Sequence, residues 1–354
     1  MNNQSYFGIG LMSGTSLDGI DLCYLKFNVS DRYDFEILKA KTYPYNNNWK
    51  SKLVKAFTTD KQSLHKLDLE YGNYLGTIIN AFTAENNIEN LGFIASHGHT
   101  VFHKPKQGVT LQIGDGQSIA DATNHIVVCD FRTQDVNMGG QGAPLVPIGD
   151  KLLFANYDYC INLGGFANIS FDKEGQRIAF DICPVNIVMN HYTNKIGLPY
   201  DDKGQLAKSG SIDQTLLNRL NGLPFYKMNP PKSLGLEWVI DIVFPLIDTS
   251  QLEIKDILRT FVEHIAIQIS SLIVKDSNTL ITGGGAFNDF LIERIEFYSN
   301  QKIELVSKEL IDFKEALIFA FLGLLKLRGE NNVLSSVTGA NKDHSSGKIY
   351  YPKV

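Results

Sequence analysis

Ser13-Gly14-Thr15-Ser16-Leu17-Asp18-Gly19 is a small polar turn between two apolar runs, residues 6–12 (YFGIGLM) and 20–27 (IDLCYLKF). Both runs read as strands, so the segment predicts a β-hairpin and not the strand–helix unit of a P-loop. Gly14 and Gly19 allow positive φ and close approach of a ligand to the backbone. Ser13, Thr15 and Ser16 offer hydroxyls, successive N–H groups can form an anion nest, and Asp18 stands where it could hold a water of a bound Mg²⁺. No lysine follows the glycine, which excludes a Walker A loop. The same residues also fit an ordinary hairpin tip with Asp-Gly at its apex. The choice depends on the rest of the chain.

Working outward, a third strand is expected at 35–42 and an amphipathic helix at 62–84, where Leu64, Leu67, Leu69, Tyr71, Leu75, Ile78 and Ile79 cover a broad face. Short strands at 92–96 and 126–129 run into His97 and Asp130, and the C-terminal ends of strands are where α/β folds place ligands. From residue 157 the pattern restarts. Strands at 159–163 and 167–171 flank Gly164-Gly165, and another follows at 178–181. This echo of the first hairpin predicts an internal duplication and a boundary near residue 151, giving units of 1–150 and 151–354. Helices are expected at 254–274, 287–297 and 314–327, with 46–50 and 341–348 as polar loops. Gly283-Gly284-Gly285-Ala286-Phe287-Asn288 follows a short strand and opens a helix, a place where a flat adenine or ribose can lie against backbone. Two strand-flanked polar turns, one per half, with a third glycine run before a helix, suit a nucleotide held between two lobes.

At 354 residues and 44% apolar content the chain can build two full cores. A formal charge of -5 argues against a nucleic-acid coat protein. The apolar runs are too short to span a bilayer and the N-terminus lacks a signal-like h-region, so a cytoplasmic protein is expected. Cys23, Cys129, Cys160 and Cys183 are scattered without a CxxC pair and read as reduced, buried apolar residues. His97, His99 and His103 have no nearby Asp or Cys to complete a zinc site. Arg132, with Asp135 one turn beyond, fits either bidentate binding of a carboxylate or a loop-ordering ion pair with Asp135.

The stretches GLMSGTSLDGID (10–21), SHGHTVFH (96–103), LQIGDGQSIA (111–120), DFRTQDVNMGGQGAPLVP (130–147), NLGGFANI (162–169) and ITGGGAFN (281–288), with KEALIFAFLGL and SVTGA near the C-terminus, occur in this order over nearly the whole chain. In them the sequence resembles the anhydro-N-acetylmuramic acid kinases, within the acetate and sugar kinase/Hsc70/actin superfamily. The resemblance implies an α/β, two-lobed actin-like ATPase (ribonuclease H-like) fold with an interdomain active-site cleft. It also implies an ATP- and Mg-dependent enzyme of amino-sugar metabolism, commonly dimeric, without nucleic-acid or membrane partners. Its substrate would be 1,6-anhydro-N-acetylmuramic acid, whose anhydro bridge is opened by water while the ATP γ-phosphate goes to O6.

Residue by residue, the resemblance implies that Asp181 is the general base. ATP contacts would come from Gly14, Thr15, Ser16, Leu17, Asp18, Gly19, Ile20 and Asp21 in the first turn. Gly164 and Gly165 in the second turn, and Gly283, Gly284, Gly285 and Asn288, would complete them. Ser13, His97, Arg132, Asp135 and Glu315 would meet the sugar. Asp181 also reads as a turn cap before Pro184, and Glu315 as favourable charge at a helix start. The family pattern after the base is Asp-Thr-Gly-Pro-Gly-Asn. This chain keeps Asp181, Pro184 and Asn186 but has Ile182, Cys183 and Val185. That departure motivates a second reading, a kinase of the same fold for another sugar; a third, a non-catalytic nucleotide-binding regulator, is disfavoured by the retained Asp181.

Overall fold

The polar turn does join paired strands. In the computed structural model, which describes residues 4–14 and 17–353, the strands in chain order are β1 (Gln4–Ser13), β2 (Gly19–Val29), β3 (Tyr33–Pro44), β4 (Phe93–Lys104), β5 (Val109–Ile113), β6 (Ile126–Cys129), β7 (Tyr159–Leu163), β8 (Phe166–Lys173), β9 (Gln176–Pro184), β10 (Thr279–Thr282) and β11 (Lys348–Tyr350). Thr15 and Ser16, two of the expected phosphate-loop residues, lie outside the described residues. The chain divides into two compact units, Met1–Leu153 with Phe313–Val354, and Phe154–Asp312.

The first unit holds a sheet of order β11-β6-β4-β1-β2-β3, with β5 attached to β4. β1, β2 and β3 are antiparallel, β4 runs parallel to β1, and β6 parallel to β4. The second unit holds the order β10-β7-β8-β9, again with three consecutive antiparallel strands and β10 parallel to the first of them. Read from the third strand, both sheets run 3-2-1-4. The duplication expected from two hairpins is therefore present at the level of topology, and each unit has the ribonuclease H-like strand order of the actin-like α/β fold.

Side-chain alternation along β1 shows how the first core is made. Ile9 and Leu11 are fully buried and join Leu64, Leu67, Tyr71, Leu75, Ile79 and Phe82 of the helix Lys61–Glu85 in one cluster. Gly8 and Gly10 face the other way. A Cβ on Gly10 would stand 1.8 Å from the Ala316 carbonyl, so only glycine admits the helix Lys308–Leu327 this close. That helix begins at Lys308, six residues before the expected start. From Phe313 onward it and the tail fold with the first unit and not with the second, as a single boundary near 151 had implied. Its near-uniform apolarity reports burial but carries no mark of which sheet will receive it. Residues 46–50 differ too. Asn46 accepts the Trp49 N–H through its side chain and caps a helix, Asn47–Lys55, where a polar loop was expected.

The second core gathers Ile161, Leu163, Ile169 and Ile182 of the sheet with the helices Asn186–Asn194, Ile254–Ser270 and Asp289–Ser299. All four cysteines are buried, as expected of small apolar residues. Among the described residues no helix is long and apolar enough to cross a membrane.

Candidate active site

In the first unit three of the expected sugar-binding residues, His97, Asp135 and Glu315, interact with the guanidinium of a fourth, Arg132. His97 lies on β4 and is buried. Its Nδ1–H donates to the Gly98 carbonyl at 2.9 Å, which leaves Nε2 to accept from Arg132 Nε at 3.0 Å and from its second terminal nitrogen at 2.9 Å. Burial, and then the Arg132 charge, hold His97 well below the ordinary histidine value, so the ring is a neutral acceptor. The other terminal nitrogen of Arg132 donates to the Gly142 carbonyl at 2.6 Å. Burial lowers the guanidinium to about 10, leaving it charged at neutral pH.

Asp135 acts on Arg132 indirectly. It is fully buried and accepts the Gly142 N–H at 2.6 Å and the Thr338 hydroxyl at 2.7 Å. It therefore shapes the turn whose carbonyl holds Arg132. The direct Arg132–Asp135 hydrogen bond that the ion-pair reading called for does not occur among the described residues. Arg132 is thus oriented by a neutral ring and a backbone carbonyl, and the buried Glu315 carboxyl interacts with its charge. Glu315 lies two turns inside the helix that begins at Lys308, too far for a helix-terminus effect. Desolvation raises its carboxyl, and Arg132 opposes the rise.

Ser13 ends β1 opposite His99 on β4. Its hydroxyl is 1% exposed and bonds the Tyr45 hydroxyl at 2.6 Å and the Tyr71 hydroxyl at 2.7 Å, while the two tyrosines also bond each other. This ring anchors the strand just before the turn. His99 packs edge-on to Tyr71 and is bonded to the Gly14 backbone; burial lowers its pKa. Leu17 holds φ 59, and its N–H reaches the Gly14 carbonyl at 3.5 Å. A left-handed leucine is costly and marks a turn held by its surroundings. Asp18 is exposed, Gly19 and buried Ile20 start β2, and Asp21 accepts the Thr42 hydroxyl at 2.6 Å. Among the described residues no cluster of three metal-ligating side chains occurs, so a Mg²⁺ would need phosphate and water ligands as well.

In the second unit the two glycine turns are neighbours. β7 and β10 are parallel with Asn162 beside Thr282, so Gly164-Gly165 and Gly283-Gly285 leave the C-terminal ends of adjacent strands. The Val185 N–H donates to the Gly165 carbonyl at 2.8 Å and the Asn186 N–H to the Gly164 carbonyl at 3.3 Å, while the Asn186 side chain donates to the Leu163 carbonyl at 3.2 Å. Gly283 has φ 82, and a Cβ there would lie 2.5 Å from Asn162 Oδ1. Around Gly165 and Gly284 the first atoms a Cβ would meet are at 3.8 and 3.7 Å. The backbone is thus open at Gly165 and Gly284, where a phosphate or a flat base could approach it. Asn288 caps the helix Asp289–Ser299 by accepting the Leu291 N–H at 2.9 Å, a structural task that gives it a fixed place in the turn.

Asp181 lies across from Asn168, which lies across from Asn162, so three polar side chains share a row over β9, β8 and β7. The register then slips. Cys183 faces Ala167 and Ile182 is the extra residue of a bulge. Asp181 Oδ2 accepts the Leu234 N–H at 2.8 Å, and among the described residues Oδ1 takes no protein hydrogen bond. Burial raises the carboxyl above the ordinary aspartate value and the Leu234 N–H opposes it. Ile182, Cys183 and Val185 are buried, so the departure from the family pattern fills core space beneath the bulge. Burial pushes the Cys183 thiol far up, away from nucleophile chemistry.

A family model for anhydro-N-acetylmuramic acid kinase matches residues 5–352. The chain belongs to this family. Within it, the chain is 32% identical over 372 residues to the anhydro-N-acetylmuramic acid kinase of Sulfurimonas denitrificans, covering 98% of this chain and 100% of that protein. It is 33% identical over 363 residues to that of Aliivibrio fischeri, covering 97% and 98%. Among solved structures it is similar to component A of the (R)-2-hydroxyglutaryl-CoA dehydratase of Acidaminococcus fermentans (11% identity, 89% of this chain and 96% of that one, TM-score 0.44). It is also similar to a ligand-bound xylulose kinase of Lactobacillus acidophilus (12% identity, 98% and 94%, TM-score 0.42).

For this family member the motifs left Tyr45, Tyr71, the Gly142 carbonyl and the Leu234 amide unmarked. Two are backbone groups with no sequence signature. The tyrosines read as core residues of a helix face and a loop, and only the fold brings their hydroxyls to Ser13.

Proposed function

We propose that this kinase hydrolyses the 1,6-anhydro bridge of 1,6-anhydro-N-acetylmuramic acid and transfers the ATP γ-phosphate to O6, giving N-acetylmuramate 6-phosphate and ADP. The observation that carries the reading is Asp181, a carboxylate fixed through one oxygen beside bare glycine turns, with its second oxygen unclaimed by protein among the described residues. Such a group can take a proton from water as that water attacks C1. The C1–O6 bond then breaks, its electron pair stays on O6, and O6 attacks the γ-phosphorus as ADP leaves. The leaving oxygen is the next nucleophile, so a second carboxylic acid to protonate it is unnecessary, in contrast with ordinary glycosidases.

Asp181 then releases its proton to solvent. Its raised pKa makes it a better base than an exposed aspartate. Arg132, aimed by His97, Gly142 and indirectly Asp135, would receive the lactyl carboxylate of the sugar, with Glu315 nearby as a hydroxyl acceptor. Gly164, Gly165, Gly283, Gly284 and Gly285 would receive the nucleotide through backbone contacts, as would the turn from Gly14 to Asp21. A Mg²⁺ entering with ATP would be held by the phosphates and, through water, by Asp18, and would neutralise charge on the transferring group. A homodimer in the cytoplasm is the setting the family resemblance favours.

ADP release, measured by a coupled assay against a panel of sugars, tests the assignment. Turnover with the anhydro sugar, lost in Asp181→Asn while ATP binding remains, is the expected result. Turnover of a different sugar alone would overturn it in favour of the reading that Ile182 and Cys183 motivate.

A further inference from the structure

β9 is the edge strand of its sheet, and its outer edge is occupied at one place by a non-strand segment. The Asp181 N–H donates to the Lys232 carbonyl at 3.2 Å, and the Leu234 N–H returns to Asp181 Oδ2 at 2.8 Å. Residues 232–234 therefore grip both the main chain and the side chain of one residue. The segment has its own anchor. Lys232 Nζ donates to the Phe225 carbonyl at 3.3 Å and lies 4.7 Å over the Phe225 ring and 5.6 Å over that of Phe180, the residue before Asp181.

An edge-strand amide can be satisfied by water at no structural cost, so pairing alone does not explain a strap here. A general base, by contrast, must be held within a fraction of an ångström of its productive position. We propose that residues 232–234 form a positioning strap for the Asp181 carboxylate, in which the Leu234 amide fixes Oδ2 and thereby aims Oδ1 at the reacting water, while Lys232 holds the strap to Phe225. This rests on the reading of Asp181 as the base. Three titratable groups belong to the strap, its anchor and β9. Lys232 lies on the strap. Cys183 lies on β9 and is kept protonated by burial. Tyr226, bonded to His264 of the helix Ile254–Ser270 at 2.9 Å, has its pKa raised by burial, and the same effect keeps His264 neutral. Neither Cys183 nor Tyr226 changes charge between pH 5 and 8, and burial lowers the Lys232 pKa. The Leu234 hydrogen bond favours the carboxylate against burial, so its loss leaves burial unopposed and Asp181 becomes harder to ionise.

The test replaces Leu234 by its α-hydroxy acid analogue, which turns the amide into an ester and deletes only the N–H. The expected result is a kcat lower on the order of tenfold, an unchanged KM for ATP, and an acid midpoint of kcat/KM moved to higher pH. Leu234→Ala, which keeps the amide, keeps the wild-type midpoint, and Lys232→Met shifts it in the ester's direction by less. Wild-type kcat and midpoint in both the ester variant and Lys232→Met, with Asp181→Asn inactive, would overturn the strap and leave the base assignment standing. An active Asp181→Asn would instead remove the base assignment on which the strap depends.

Discussion

The two sheets share a strand order, and they finish it with opposite chemistry. At the turn end of the first, side chains hold one another: Ser13 with Tyr45 and Tyr71, and neutral His97 with a charged Arg132. At the turn end of the second, backbone holds backbone around Gly164, Gly165 and Gly283, and one carboxylate is left with a free oxygen among the described residues. On the function proposed above, one copy of the frame would receive an anion through its side chains and the other would receive phosphate and take a proton, without either unit departing from the common topology.

The largest expected effect lies on the acidic side of this contrast. Asp181→Asn should lower kcat by about 10²- to 10⁴-fold, with ATP affinity intact by calorimetry. It should also leave the melting temperature at or above that of the wild type. The folded-state pKa of Asp181 is raised, so the folded state binds more protons than the unfolded state between the two values. Stability is therefore lost as pH rises through that window, and a neutral asparagine escapes the loss. The wild-type kcat/KM should fall on the acid side with a midpoint above an ordinary aspartate.

The cationic side gives a smaller effect. Arg132→Lys removes the forked donor set that His97 and Gly142 orient, and should raise KM for the anhydro sugar by about 10- to 100-fold. His97→Leu should move KM in the same direction, because the guanidinium loses its acceptor. A change confined to kcat in both variants would break the assignment of Arg132 to substrate binding.

The backbone side is sharpened by Gly283→Ala. The new Cβ meets Asn162 Oδ1 at 2.5 Å in a positive-φ position, so stability should fall by about 1–3 kcal/mol and ATP affinity with it. The smallest effect belongs to the departure from the family pattern. Cys183→Ala removes a buried, protonated thiol and should cost about 1 kcal/mol in chemical denaturation, with kcat within about twofold, if the residue only fills core space.

The frame was legible in the sequence because it is written in short-range pattern. The turns at Ser13 and Gly164, the strands around them and the helix Lys61–Glu85 all follow from local periodicity. What escaped was long-range. The separation of 35 positions between His97 and Arg132 hides a hydrogen bond that composition cannot announce, and Asp135, one turn from Arg132, holds Gly142. Ser13 was legible as a hydroxyl near a phosphate turn, but its tyrosine partners come from other elements. Glu315 was read as a helix start because apolarity rises at Lys314, whereas the helix begins in the polar stretch before it. The bulge at Ile182 could not be read because the residues that replace the family's glycines look like ordinary strand.

The most direct test of the coupled chemistry is mass spectrometry of the sugar product formed in ¹⁸O-labelled water. The account predicts one ¹⁸O at C1 of a sugar that carries phosphate at O6. A phosphorylated product without label at C1, or label in the phosphate, would contradict it.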